Sequence, residues 1–215
     1  MGPDISDLVL SGNTAGYGNP IFFGGQHVLR LTRGLSQAGG AFLRDPIALT
    51  DSGGFKASFS TAFAFQITAP VGCVDSDGVR GADGLVFVVQ TTSNQYGASG
   101  GGIGYQGIPK SVGIEFDTWN NGGGDKNSSN HIGFDVNGSL GSIVLAEVTE
   151  ADMNGGDIWN VWVDYNGATN LLEARMGRSA VRPTNAILSL TRNLATDLGT
   201  TNAFVGFTSG TGAAF

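Results

Sequence analysis

Very little in this chain can carry positive charge or form a covalent cross-link. Of 215 residues only 11 are lysine or arginine, against 18 aspartates and glutamates, and the formal net charge is −7. The basic residues form no cluster, so the electrostatic footprint needed to hold nucleic acid or an anionic membrane is missing. Cys73 is the sole cysteine, and no internal disulfide is available to it. No run is long and apolar enough to span a bilayer, and no signal peptide is visible, as expected of a mature secreted domain. Helical periodicity is nearly absent too.

What the chain has in quantity is glycine, 36 residues of it, together with short apolar segments rich in Phe and Val. These segments alternate in polarity and are separated by Gly, Asn, Asp and Ser clusters, the pattern of an all-β sandwich or jelly roll. Phe59, Phe63, Phe65 and Ile67 define one inward face, and Trp159, Val161, Val163 and Tyr165 another. Asn166-Gly167 reads as a tight hairpin turn leading into Leu171 to Met176. With no linker and no fixed-period repeat, residues 1–215 read as one domain with a sizeable core. Gly72 to Gly81, despite aspartates at 75 and 77, reads as a surface loop, and His27 as an ordinary strand or turn residue.

One stretch carries chemistry. VGIEFDTWNNGGGDKNSSNHIGFDVN, Val112 to Asn137, reads as two strands flanking a long polar loop. Alternation points Ile114 and Phe116 into a core, and Glu115 and Asp117 together the other way. In the second strand Ile132, Phe134 and Val136 point inward, with His131 and Asp135 opposite. Paired as a hairpin, the strands bring Glu115, Asp117 and His131 together beneath the loop. Adjacent acids repel unless something positive lies between them, and a metal is the simplest explanation. The loop offers oxygen ligands of the kind calcium prefers from Asn121, Asp125, Asn127 and Asn130, and Gly122 to Gly124 let the backbone fold around an ion. His131 adds a nitrogen suited to a transition metal such as manganese. Two adjacent ions sharing Asp117 and Asp125 are expected. The bland alternative is a solvated Asn/Gly-rich turn with no ion.

The string resembles the metal-binding segment of the legume-type (L-type) lectins. QAGGAFLRDPIAL (Gln37 to Leu49), ASFSTAFAFQI (Ala57 to Ile67), GADGLVFVVQ (Gly81 to Gln90), GGGIGY (Gly100 to Tyr105) and VGFTSGTG (Val205 to Gly212) are similar to further landmarks of that family, in the family's order. One such string is weak; six in order are specific. The resemblance points to a bacterial-type or other non-plant member. It implies a concanavalin-like β-sandwich of two large antiparallel sheets, with one more strand following where this sequence stops at Phe215. An open sheet edge beside Leu8 to Leu10, or a homodimer contact there, is therefore expected.

Carried over by residue, the resemblance implies Glu115, Asp117, Asp125 and His131 as ligands of the transition metal, with Mn²⁺ expected. It implies Asp117, the Trp119 carbonyl, Asn121 and Asp125 as ligands of Ca²⁺. The family places this Asp one residue later, which leaves Asn127 as a substitute for Asp125 or an addition to it. Asp83 corresponds to the carboxylate that accepts sugar hydroxyls, and Gly101 to a backbone N–H donor, with Gly100 and Gly102 as alternative registers. Asn121 would share its amide between calcium and sugar. Trp119 would lie against the sugar ring, and Gly212, Ala213 and Ala214 would act through backbone groups. A cis peptide between Ala82 and Asp83 is also implied. The expected partners are glycans of mannose/glucose or galactose type. Calcium dependence favours an extracellular or secretory-lumen location.

A second class shares the sandwich. Laminarinase-type glycoside hydrolases carry Glu-x-Asp-x-x-Glu, and Glu115, Asp117 and Asn120 occupy that spacing with the second glutamate missing. A retaining mechanism needs two carboxyls flanking the bond. A third reading, an adhesive module without sugar binding, sits poorly with Asp83, Trp119 and Asn121 occurring together. The expected protein is a non-catalytic lectin.

Overall fold

The structure, a computed structural model, describes residues 5–13, 21–23, 26–50, 54, 56–68, 70–76 and 78–215. In chain order its first strands are β1 (Leu8–Gly12), β2 (Ile21–Phe23), β3 (Gln26–Val28), β4 (Ala38–Leu43), β5 (Ile47–Ala48) and β6 (Phe59–Gln66). Then come β7 (Gly84–Gln90), β8 (Ser111–Asp117), β9 (His131–Val136) and β10 (Val144–Glu147). The last are β11 (Ile158–Asn166), β12 (Leu171–Gly177), β13 (Leu188–Thr191), a short helix α1 (Leu194–Leu198) and β14 (Asn202–Gly210).

All pairings are antiparallel. The larger sheet runs β1-β4-β14-β7-β8-β9-β10, with β5 also on β14, and the smaller runs β13-β12-β11-β6. The expected sandwich of two antiparallel sheets is thus observed, with eight and four strands among the described residues. Among the described residues β1 pairs with β4 alone, so the open edge expected beside Leu8 to Leu10 is present. The smaller sheet has an edge of its own, since among the described residues β6 pairs only with β11.

The main core lies between the sheets. Leu85, Phe87 and Val89 of β7 and Val112, Ile114 and Phe116 of β8 meet Trp159, Val161, Val163 and Tyr165 of β11. Phe63 reaches across from β6, stacked 5.7 Å from Phe87 and edge-on to Phe207 at 4.7 Å. The alternation expected for β6, β8 and β11 is therefore observed.

Alternation alone predicts a solvated opposite face for β7 and β8, yet both strands are buried on both faces. The segment 97–108 folds back over the outer face and builds a second apolar cluster. Ile103, Tyr105 and Ile108 close there on Phe42, Val86 and Val88. Val86 pairs with Glu115, so this cluster keeps water away from the polar side chains of β8. The hairpin after β11 also differs in detail. Its loop spans four residues, 167–170, with Asn166 Oδ1 accepting the N–H of Ala168 and Thr169 and Asn170 at φ 56°. Helix α1 was not foreseen; five residues are too few for a periodic signal, although Leu194 and Leu198 are fully buried.

Candidate functional site

The hairpin of β8 and β9 sets the lower tier. Asp117 lies opposite His131 and Glu115 opposite Gly133. His131 Nε2 is 3.2 Å from Glu115 Oε1, and one ligand atom from each of Glu115, Asp117 and His131 lies within 4.8 Å of the others. All three are at most 1 % exposed. Burial, and next the Glu115 charge, push the Asp117 carboxyl well above its usual range. Asp135, on the same face, is pushed up by the same two causes. Ser142 Oγ lies 2.5 Å from Glu115 Oε1 and 3.0 Å from Asp135 Oδ1. The hydroxyl has one proton for these two acids, and Asp135 with its raised pKa is the one suited to hold its own.

This donor set fits a cation. Glu115 Oε2, Asp135 Oδ2 and His131 Nδ1 are buried and have no hydrogen-bond partner among the described residues. Such burial costs several kcal/mol per ion in order of magnitude when nothing compensates. Gly133 keeps the space free: a Cβ there would run into Ser142 Oγ and Glu115 Oε1. Two carboxylates and an imidazole suit a transition metal.

Three loop residues differ from expectation. Asp125 is not one of the close group; it sits in a tight turn (Gly123–Asp125), and its Oδ2 accepts the Asn121 N–H at 2.5 Å. Burial pushes its carboxyl up, partly offset by that N–H. Asn127 is exposed and ties the loop through its backbone, receiving Asn120 Nδ2 on its carbonyl. Asn130 is spent elsewhere, with Nδ2 donating to Val148 O and Ala151 O and Oδ1 accepting the Met153 N–H. Its amide is therefore not an ion ligand.

The upper tier gathers residues from four loops. Asp83 directly precedes β7, is 5 % exposed, follows a cis Ala82–Asp83 peptide, and leaves Oδ2 without a hydrogen-bond partner among the described residues. Burial raises its carboxyl to about 6, with the Gly212 amide lowering it and Asp75 raising it further. A Cβ on Gly212 would lie 3.3 Å from Asp83 Oδ2, and one on Gly101 would lie 2.5 Å from Asn121 Oδ1. Gly101 faces Asn121, Gly100 faces Gly212, and Gly102 is buried against Ala98 and Gln106. Asn121 is exposed, its Nδ2 3.3 Å from the Trp119 carbonyl, and Trp119 is half-buried with its N–H donated to Asp117 Oδ1 at 2.7 Å. Ala213 is exposed. Ala214 is not: it is 2 % exposed, bridges Gly72 and accepts the Gly212 N–H, so it supports the loop instead of lining it.

Sequence reasoning missed Gly133, Ser142 and Asp75. Asp75 Oδ2 accepts the Asn120 N–H at 2.6 Å, which brings the loop before Asp83 onto the loop between β8 and β9. The only signal for it was a carboxylate in a turn, which many surface loops share.

The legume lectin domain family matches residues 10–215. The chain is 34% identical over 178 residues to the L-type lectin-domain containing receptor kinase VIII.1 of Arabidopsis thaliana, covering 78% of this chain and 24% of that protein. It is 32% identical over 181 residues to the lectin beta-1 and beta-2 chains of Lathyrus ochrus, covering 80% and 90%. Among solved structures it is similar to the winged bean acidic lectin complexed with methyl-α-D-galactose, at a TM-score of 0.73 and 26% identity over 96% of this chain and 84% of that one. The basic winged bean lectin with Tn-antigen gives a TM-score of 0.72 and 26% identity, over 97% and 84%. The chain spans about a quarter of the receptor kinase's length and about half of a further relative, the lectin alpha chain of Lablab purpureus. These relatives are plant proteins, and they lend no support to the expectation of a non-plant member.

Proposed function

The chain belongs to the legume lectin domain family, and from that premise we propose that it is a non-catalytic, cation-dependent carbohydrate-binding domain. The observation that carries the reading is Asp83 Oδ2, a buried carboxylate oxygen with no hydrogen-bond partner among the described residues, beside Gly212 in a cluster that also presents Gly101 and Asn121. A sugar offers adjacent hydroxyls, and a carboxylate with a neighbouring amide and backbone N–H groups is complementary to them.

In this reading a transition metal, with Mn²⁺ expected, is held by Glu115, Asp117 and His131, and Ca²⁺ by Asp117, the Trp119 carbonyl, Asn121 and Asp125. Bound cations neutralise the acids and hold the glycine-rich loop in one conformation. They touch no sugar; Asp83, Gly101, Trp119, Asn121 and the Gly212–Ala213 backbone do. The ligands named for the two winged bean lectins favour a galactose-type sugar over mannose or glucose. An extracellular or secretory location agrees with calcium use and with the receptor-kinase and plant-lectin relatives. The hydrolase alternative is disfavoured because Glu115 and Asp117 are each 1 % exposed and cannot flank a glycosidic bond.

A glycan array run with and without chelator tests the reading. Binding that disappears with chelator and in Asp83→Ala supports it. Binding unchanged by both treatments, or release of reducing sugar from a polysaccharide, would overturn it.

A further inference from the structure

The loop from 70 to 81 does more in this fold than lead into Asp83. Its tip is a tight turn in which the Asp75 N–H donates to Val79 O at 2.9 Å and the Gly78 N–H to Asp75 O at 3.0 Å. From there it reaches in two directions. Toward the last loop of the chain, Val71 and Phe215 exchange backbone hydrogen bonds of 2.7 and 3.0 Å, and Gly72 bridges Ala214. The Arg80 guanidinium braces this arm by donating to Gly72 O at 2.9 Å. Toward the loop between β8 and β9, Asp75 Oδ2 accepts the Asn120 N–H at 2.6 Å. Ser76 Oγ accepts Asn120 Nδ2 at 3.2 Å and lies 3.2 Å from Ser129 Oγ.

Asn120 is the residue between Trp119 and Asn121. Its Oδ1 accepts the Gly122 N–H at 2.8 Å, and its Nδ2 also donates to Asn127 O at 3.0 Å. Both side-chain polar atoms and the backbone N–H are thus engaged. The loop they hold contains three successive glycines, Gly122 to Gly124, whose backbone freedom would otherwise oppose any single conformation. A simple turn at 75–79 needs only the backbone of Asp75. Its carboxylate is divided: Oδ1 accepts the neighbouring Ser76 N–H at 2.5 Å within the turn, and Oδ2 accepts an amide 45 positions away in the chain. A hydrogen bond from a backbone N–H to a carboxylate is about twice as strong as a neutral one.

We propose that Asp75 and Ser76 form a strap that fixes Asn120, and through it places Trp119 and Asn121 for cation and glycan binding while anchoring the Gly212–Ala214 loop from its other end. Asp75 is in this sense a positioning residue, touching neither ligand. The glycan half of the proposal rests on the carbohydrate-binding reading; the loop and cation half does not.

Asp75→Ala, Asp75→Asn and Ser76→Ala test it through three measurements. These are amide hydrogen exchange of the 118–130 segment in cation-free protein, calorimetric titration with Ca²⁺, and titration with methyl-α-D-galactoside at saturating Ca²⁺. In Asp75→Ala, exchange in 118–130 should accelerate and Ca²⁺ affinity and glycan affinity should each fall roughly tenfold, the scale of one lost charge-assisted hydrogen bond. Asp75→Asn keeps one neutral acceptor oxygen where the carboxylate uses two and should recover part of the loss; Ser76→Ala should lose about threefold. Wild-type exchange and Ca²⁺ affinity in Asp75→Ala would overturn the strap, as would an Asp75→Asn protein as impaired as Asp75→Ala. If the unmodified protein binds no sugar, the lectin reading fails, and the exchange and Ca²⁺ arms still decide the strap.

Discussion

Gly101 stands against the side chain of Asn121 so closely that a Cβ on it would lie 2.5 Å from Asn121 Oδ1 and 3.1 Å from Nδ2. The atoms it would meet are the end of an exposed side chain, which can swing away. Gly101→Ala should therefore cost little stability, within roughly 0.5 kcal/mol as for most surface changes. The displaced amide is one of the groups assigned to the sugar, and glycan affinity should fall at least about tenfold, the loss of a good hydrogen bond and its geometry. Thermal melting and glycan titration of one sample check both halves.

The cation-free protein should respond to pH with a definite sign. Asp83 is raised to about 6, chiefly by burial, and Asp117 and Asp135 are pushed well above the usual range by burial and then by the Glu115 charge. A raised folded pKa means the folded state keeps a proton that the unfolded chain releases. The resulting stability is complete below the ordinary carboxyl value and is lost as pH rises through the folded value. For Asp83 the window runs from 3.8 to about 6, and for the other two it extends upward from the same lower bound. Scanning calorimetry in chelator should find these groups stabilising more at pH 5 than at pH 7.5. Cation binding needs Asp117 deprotonated, so the gain in melting temperature on adding Ca²⁺ and Mn²⁺ should shrink on acidification. A cation-free melting temperature that climbs steadily from pH 5 to 7.5 would contradict this.

The lower tier of the site was readable because it depends on local rules. Glu115 and Asp117 share a face by strand alternation, and pairing across the β8–β9 hairpin puts Asp117 opposite His131. The upper tier was readable only through resemblance, since nothing local relates Asp83, Gly101 and Gly212. Burial of both faces of β7 and β8 was hidden, because it depends on Ile103, Tyr105 and Ile108 folding back from a loop. Asn130 could not be told apart from the other oxygen-bearing residues of its loop. Amide and carboxyl oxygens in a polar loop are interchangeable on paper, and only the fold shows that Asn130 serves Val148, Ala151 and Met153.

Asp117→Asn should separate the structural from the cation-binding demand on that side chain. The amide oxygen can still accept the Trp119 N–H now bound by Asp117 Oδ1, so the local turn is retained. In chelator at pH 7.5 the variant should be as stable as the unmodified protein or more so. Relief of a buried charge beside Glu115 is worth roughly 1 kcal/mol or more, or about 2–4 °C in a chain of this size. Adding Ca²⁺ and Mn²⁺ should then raise its melting temperature little. A large drop in chelator would mean that Asp117 holds the fold by some means other than its charge.

Gly133→Ala probes the same centre from the opposite side and contrasts with Gly101→Ala. The added Cβ would collide with both Ser142 Oγ and Glu115 Oε1. Glu115 is 1 % exposed and enclosed between paired strands, so its carboxylate has nowhere to move without disturbing His131. Overpacking of this kind typically costs about 1–3 kcal/mol. Loss of the carboxylate's position should also reduce cation affinity by about 10–100-fold, the range seen when groups orienting a metal site are altered. Glycan binding should disappear with it, because Trp119 and Asn121 lose the ion that fixes them. The two glycine variants should therefore differ in kind: Gly101→Ala keeps Mn²⁺ affinity while Ca²⁺ and glycan affinity fall through the displaced Asn121, and Gly133→Ala binds neither cation nor glycan. Calorimetric titration with Mn²⁺ and Ca²⁺, followed by glycan titration at saturating cation, distinguishes them. Glycan binding by Gly133→Ala without bound cations would refute the dependence of the upper tier on the lower.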